Sequence, residues 1–136
     1  MLVTASTSGY AETMRRLIAA ITSRGLTVFA RIDHAAAARE AGMELAAEEV
    51  VVFGSPRAGT PLMQSDPRIG VELPLRLLVW EDGVGAQLGY NDPRELAGPY
   101  NVERHRATLE AMSELLAALA IEAAGSRALQ RRFPVR

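Results

Sequence analysis

The chain contains no cysteine, which excludes disulfides, thiolate nucleophiles and thiolate metal ligands, so any redox role would depend on a borrowed cofactor. It also lacks an excess of either charge. Fifteen basic residues stand against sixteen acidic ones, for a formal net charge of -1, and this argues against a domain-wide electrostatic footprint for nucleic acid. Long apolar runs are missing as well. The longest aliphatic stretch, Leu115 to Ile121, ends at Glu122, far short of the roughly 20 residues that cross a bilayer. Met1 to Ser6 has no basic start followed by a long apolar run. These absences set the expectation of a cytoplasmic chain with neither nucleic acid nor membrane as partner.

Catalytic signatures are equally sparse. Ser55 is not set in a Gly-x-Ser-x-Gly elbow, and nothing marks His34 as its base. The run Gly54-Ser55-Pro56-Arg57-Ala58-Gly59-Thr60 has the glycines of a phosphate loop but not its Gly-Lys-Ser/Thr ending, and Pro56 removes an amide donor, so triphosphate hydrolysis is not supported. The pairs Glu48-Glu49 and Glu81-Asp82 fit a strand entry and a solvated turn. A metal site using His34 and His105 would need Glu72 or Asp33, and their scattered positions give no ligand spacing. Neither metal nor cofactor is assigned.

What is present is an ordinary globular composition: 136 residues, 49% hydrophobic and 23% charged. This length encloses one core, and no internal repeat divides it. One α+β domain is expected over residues 1–125. A loosely held basic tail, residues 126–136, carries Arg127, Arg131, Arg132 and Arg136 around Leu129 and Phe133.

Leu2 to Ser6 reads as a short strand. Ser8 or Gly9 then caps a helix whose Met14, Leu17, Ile18 and Ile21 recur at helical spacing, with Gly25 as its stop. Leu26, Val28, Ala30 and Ile32 alternate with Thr27, Phe29 and Arg31, predicting a strand with one well-buried face. Asp33 is placed to cap a short alanine-rich helix that Gly42 ends. Val50 to Phe53 predicts a central strand opening into a long loop, in which Thr60-Pro61 starts a single helical turn at Leu62, Met63 and Gln64. Leu75 to Glu81 and Val84 to Tyr90 flank Asp82-Gly83, a strong hairpin signal. Asp92-Pro93 initiates a turn that Asn91 can brace through its side chain. From Asn101 onward, Val102, His105, Leu109, Met112, Leu116, Leu119 and Ala123 mark a long amphipathic helix that should cover the sheet.

The ordered segments Arg31-Ile32-Asp33-His34-Ala35, Phe53-Gly54-Ser55-Pro56, Gly59-Thr60-Pro61-Leu62-Met63-Gln64, Leu73-Pro74-Leu75, Trp80-Glu81-Asp82 and Tyr90-Asn91-Asp92-Pro93 resemble the bacterial and archaeal family known as domain of unknown function 302, over about residues 8–124. The resemblance implies a β-α-β-β-β-β-α order, a curved antiparallel sheet similar to the TATA-binding-protein fold, and a homodimer. It implies no activity, and the fold alone does not imply DNA binding. The chain departs from the family pattern at Ser55, where asparagine is frequent, and at Gly98-Pro99-Tyr100, where an arginine-histidine pair is frequent.

These readings converge on a homodimeric binding module for a small molecule or a protein partner. Its ligand-binding candidates are Asp33, His34, Gly54, Ser55, Thr60, Met63, Gln64 and Glu72, gathered in polar and glycine-rich segments between helices and strands. Two rivals stand beside it. One is an enzyme using His34 or His105 with a carboxylate as an acid-base pair. The other is a self-association domain built on the alanine-rich helix from Glu110 to Gly125. For Asp33 the capping role already explains the residue, and His105 on an apolar stripe fits a partly buried structural histidine.

Overall fold

Two helices carry apolar residues three and four positions apart, and both bury that stripe. In α1 (Tyr10–Ser23), Met14, Leu17 and Ile21 are buried, as are Leu109, Met112, Leu116, Leu119 and Ala123 in α4 (Arg106–Ala124). Gly9 occupies the N-cap position of α1, and Arg24 donates to Ile21 before Gly25 turns the chain at φ 71°. The computed structural model describes residues 1–125 and 128–134. Of the expected basic tail, Arg127 and Arg136 lie outside the described residues.

The helices pack on one face of a six-stranded antiparallel sheet. Its strands are β1 (Leu2–Ala5), β2 (Thr27–Asp33), β3 (Glu48–Gly54), β4 (Leu75–Glu81), β5 (Ala86–Tyr90) and β6 (Gln130–Arg132), in the spatial order β2-β3-β4-β5-β1-β6. Val51, Phe53, Leu77, Val79, Leu88 and Tyr90 point at α1 and α4 and are buried. The alternate residues Val50, Val52, Leu78 and Trp80 lie on the opposite face and are half-buried. Two shorter α-helices follow β2 and β3: α2 (His34–Glu40), capped by Asp33 through Ala36 N–H at 2.8 Å, and α3 (Pro56–Ser65).

The structure corrects the sequence reading in several places. In β2 the alternation does not run through: Val28 pairs Phe53, but Ala30 pairs Val52, with a bulge at Phe29 between them. One inserted residue reverses the phase. Arg31 therefore turns toward the helices and forms a two-point ion pair with the buried Glu49 (2.6 and 3.2 Å), while Ala30 and Ile32 face away and are exposed.

The segment after β3 is a ten-residue helix rather than a loop with one turn. Its cap-then-proline start is Ser55-Pro56, five residues before the Thr60-Pro61 pair, and Pro61 sits inside the helix. The β4–β5 hairpin closes through four residues, Asp82 to Gly85, because Asp82 Oδ1 accepts from both Val84 N–H (2.8 Å) and Gly85 N–H (3.0 Å) and holds them out of the ladder. Trp80 and Tyr90 do not meet, since they stand on opposite faces of the sheet. Asp92, not Asn91, braces its turn, accepting from Arg94 N–H at 3.1 Å. The last helix starts at Arg106; His105, half-buried, is its N-cap, and residues Glu103–His105 form a single 3-10 turn. Finally, Gln130–Arg132 is no loose tail but a sixth strand on β1.

Candidate functional site

Strand β3 ends at Gly54 beside the start of β2 and the start of β4, because antiparallel pairing sets Thr27 against Gly54 and Leu75 against Phe53. At this end of the sheet lies a cavity of about 310 Å³. Its floor comes from Leu26 and Phe29 of the β2 segment, Gly54, and Leu73-Pro74-Leu75. Ala58, Gly59, Thr60 and Met63 of α3 form one wall, and Met112 and Leu115 of α4 form the other. The lining is overwhelmingly apolar.

Local sequence explains this arrangement. Pro56 at the first helical position preorganises α3 directly after the strand, so Ala58, Gly59 and Thr60 of its first turns line the cavity beside Gly54. The Ser55 side chain is at the N-cap position but bonds no amide of the helix. With Thr60 it places two hydroxyls on an otherwise hydrocarbon lining. A Cβ on Gly59 would meet Leu73 Cδ1 at 3.7 Å and Met63 Cε at 3.9 Å, ordinary contact distances, so the cavity wall would tolerate alanine there.

Of the residues singled out from sequence, the cavity brings together Gly54, Ser55, Thr60 and Met63. It does not include the other four. Asp33 and His34 stand at the opposite end of the sheet, where Asp33 pairs with Glu49. Gln64 faces a shallow cleft shared with Arg104 and His105. Glu72 accepts from the Tyr100 hydroxyl at 3.1 Å and lines a small depression with Arg76 and Asn91. His34 thus begins α2 and His105 caps α4, in separate parts of the fold.

Sequence reasoning missed Phe29, Leu73, Met112 and Leu115. Phe29 stands at the bulge, where strand alternation gives no guide, and Met112 and Leu73 were legible only as a helix-stripe residue and as part of a family segment.

A second polar centre lies at the far side of the sheet. The buried Asp92 carboxylate accepts from Arg94 Nη2 (2.6 Å), the Ser113 hydroxyl (3.0 Å) and Arg132 Nη2 (3.3 Å), which ties the turn after β5 to α4 and to β6. The Arg94 guanidinium, outweighing the cost of burial, holds its pKa at about 2. Tyr10 shows the opposite effect over the Arg31–Glu49 pair: burial and then the Glu49 carboxylate push its phenol up to about 12. Among the described residues no three His, Asp or Glu side chains converge as a metal-binding group, and no helix is long and apolar enough to cross a membrane.

Comparison with known proteins places this architecture. A crystal structure of an uncharacterized conserved protein DUF302 from Bacillus stearothermophilus superposes with a TM-score of 0.79, covering 92% of this chain and 97% of that one at 20% identity. The fold is therefore shared, and the expected β-α-β-β-β-β-α order is present, with α2, α3 and β6 added to it. Curated relatives include proteins named fluoride-specific ion channel FluC 1 from Brucella suis biovar 1 (strain 1330) and from Brucella abortus biovar 1 (strain 9-941). Each is 50% identical over 88 residues, which is 64% of this chain. The chain spans only about a third of their length, 35% and 33% respectively. The family model described as "Domain of unknown function DUF302" matches residues 2–119, and the chain belongs to that family.

Proposed function

We propose that the protein is a binding module for a small, largely apolar molecule held at the end of the sheet. The observation that carries this reading is the cavity of about 310 Å³ between α3, α4 and the strand ends. That volume is at the small end of ligand sites, which are mostly apolar with a few convergent polar groups. The ligand class that fits is a short aliphatic or aromatic compound with one hydroxyl, carboxyl or amide group to bond Ser55 or Thr60. The test is calorimetric titration with linear alcohols and carboxylates of about six to ten carbons, a range matched to the small end of such sites. Binding with a negative heat-capacity change, lost in Ala58→Phe while its melting temperature is kept, supports the reading. Equal affinity in wild type and Ala58→Phe removes it.

A homodimer fits the sheet face turned away from α1 and α4. Ile32, Val50, Leu78 and Trp80 give that face an apolar centre, with Glu48 toward one end and Arg76 toward the other. A two-fold-related copy would set Glu48 against the partner's Arg76, as an isologous interface requires. Light scattering after size exclusion is expected to give twice the chain mass for wild type and the chain mass for Leu78→Glu. A monomeric wild type at every accessible concentration ends this proposal.

The similarity to the Brucella channel proteins favours a second setting. Because no helix among the described residues is long and apolar enough to span a membrane, the matched stretch suits an accessory ligand-sensing part of a larger channel protein. Fluoride efflux from vesicles containing the Brucella suis relative should then change when a cavity ligand is added; ligand-independent efflux counts against it.

A further inference from the structure

Strand β6 is held in an unusual way. It pairs with β1 over Leu2–Arg132, Val3–Arg131 and Thr4–Gln130, and Met1 and Phe133 exchange backbone hydrogen bonds at 2.8 Å each way. Its three residues are all exposed, and the flanking Leu129 (76%) and Phe133 (50%) bury little. The strand is therefore anchored by main-chain bonds and by two side chains that point the same way. Gln130 Nε2 donates to the Tyr90 hydroxyl at 2.7 Å, and Arg132 donates to Glu95 Oε1 at 2.8 Å and to Asp92 Oδ2 at 3.3 Å.

Part of the receiving side is held by elements other than the strand. Tyr90 and Asp92 are buried, and Asp92 keeps Arg94 and Ser113 as partners whether or not Arg132 is there. Departure of β6 would thus strand no buried charge, and it would expose a preformed sheet edge. The strand also lies beyond residues 2–119, where the family model matches.

We propose that the edge of β1 that β6 covers, together with Tyr90, Asp92 and Glu95, is a strand-docking site for extended peptides carrying glutamine and, two residues later, arginine. The chain's own residues 130–132 are its resident occupant. Main-chain pairing supplies the affinity, and alternate side chains supply the selectivity, which is the logic of β-augmentation. The strand is only three residues long and all three stay exposed, so little buried area opposes its exchange.

The experiment uses the full chain and a fluorescein-labelled peptide with the sequence of residues 128 to 134, followed by fluorescence anisotropy. Three proteins are compared: wild type, the release variant Gln130→Ala/Arg132→Ala, and a locked variant in which Val3→Cys and Arg131→Cys are joined by a disulfide. The absence of native cysteine makes that bond unambiguous. The release variant is expected to bind the peptide roughly tenfold or more tightly than wild type, a gap of at least about 1.4 kcal/mol, and the locked variant not at all. A peptide with alanine in place of the glutamine and the second arginine should not bind. Light scattering in the Leu78→Glu background, where the sheet-face dimer is removed, separates the sources of the strand: a residual dimer dispersed by excess peptide shows exchange between two copies, and a monomer shows occupancy in cis, both supporting a docking edge. Equal peptide binding by wild type and locked protein overturns the proposal. So does a release variant that binds no peptide, whether its β1 and β6 amides stay protected from hydrogen exchange or lose that protection.

Discussion

The ring of Trp80 packs against Gly89. A Cβ on that glycine would sit 2.9 Å from Trp80 Cζ3 and 3.0 Å from Met1 Sδ, closer than carbon atoms tolerate. The glycine is there so that the indole and the chain start can close over β5 on the face away from the helices. Gly89→Ala is therefore expected to cost about 1–3 kcal/mol, as overpacking does. Urea denaturation checks it, and the penalty should shrink in Gly89→Ala/Trp80→Ala, because the two changes are coupled.

Asp92 makes stability depend on pH at the acid end. Its folded pKa, about 2, lies below the ordinary 3.8, so the ionised form is favoured in the fold. The stabilisation is present in full above the unfolded value and is lost as pH falls through the folded one. A shift of this size corresponds to about 2 kcal/mol. Asp92→Asn should unfold at lower urea than wild type at neutral pH, and the gap should narrow between roughly pH 4 and pH 2. A gap that stays constant over that range would mean that the carboxylate charge is not what holds the turn, α4 and β6 together.

Thr4 is fully buried, and its hydroxyl finds no hydrogen-bond partner among the described residues. Burial of an unpaired hydroxyl is costly, and valine has nearly the same shape. Thr4→Val should stabilise the protein by about 1 kcal/mol, read as a higher urea midpoint with unchanged slope. A lower midpoint would reveal that the hydroxyl is satisfied in solution.

Leu116 is 1% exposed on the face of α4 that covers the sheet. Leu116→Ala should cost about 2–5 kcal/mol, whereas Ala118→Ser on the exposed side should stay within about 0.5 kcal/mol of wild type. Similar effects at both positions would deny that this helix lies on the sheet by one stripe.

How far the sequence was legible follows from the kind of signal each element leaves. Leu109, Met112 and Leu116 repeat over many turns, so α4 was readable, and the β4–β5 hairpin was readable from two strands around Asp82-Gly83. Strand β2 misled because period-two counting assumes that no residue is inserted, and the bulge at Phe29 breaks that assumption. Helix α3 was hidden by two competing cap-proline pairs. Three exposed residues in β6 carry no pattern at all, since their pairing is main-chain.

The cavity was half legible for a similar reason. Gly54, Ser55, Thr60 and Met63 come from one continuous stretch, while Leu73, Met112 and Leu115 arrive from distant parts of the chain. The separation of Asp33 from Gly54 was deducible: antiparallel neighbours place the end of one strand beside the start of the next, so the two residues belong to opposite ends of the sheet.

The bulge in β2 has one more effect. By turning Arg31 inward onto Glu49 it leaves the outermost strand kinked and carrying an inward-facing charge, two devices that spoil the template an incoming strand would need. Addition of a further strand at this border, and with it growth of the sheet into open-ended filaments, is thereby disfavoured.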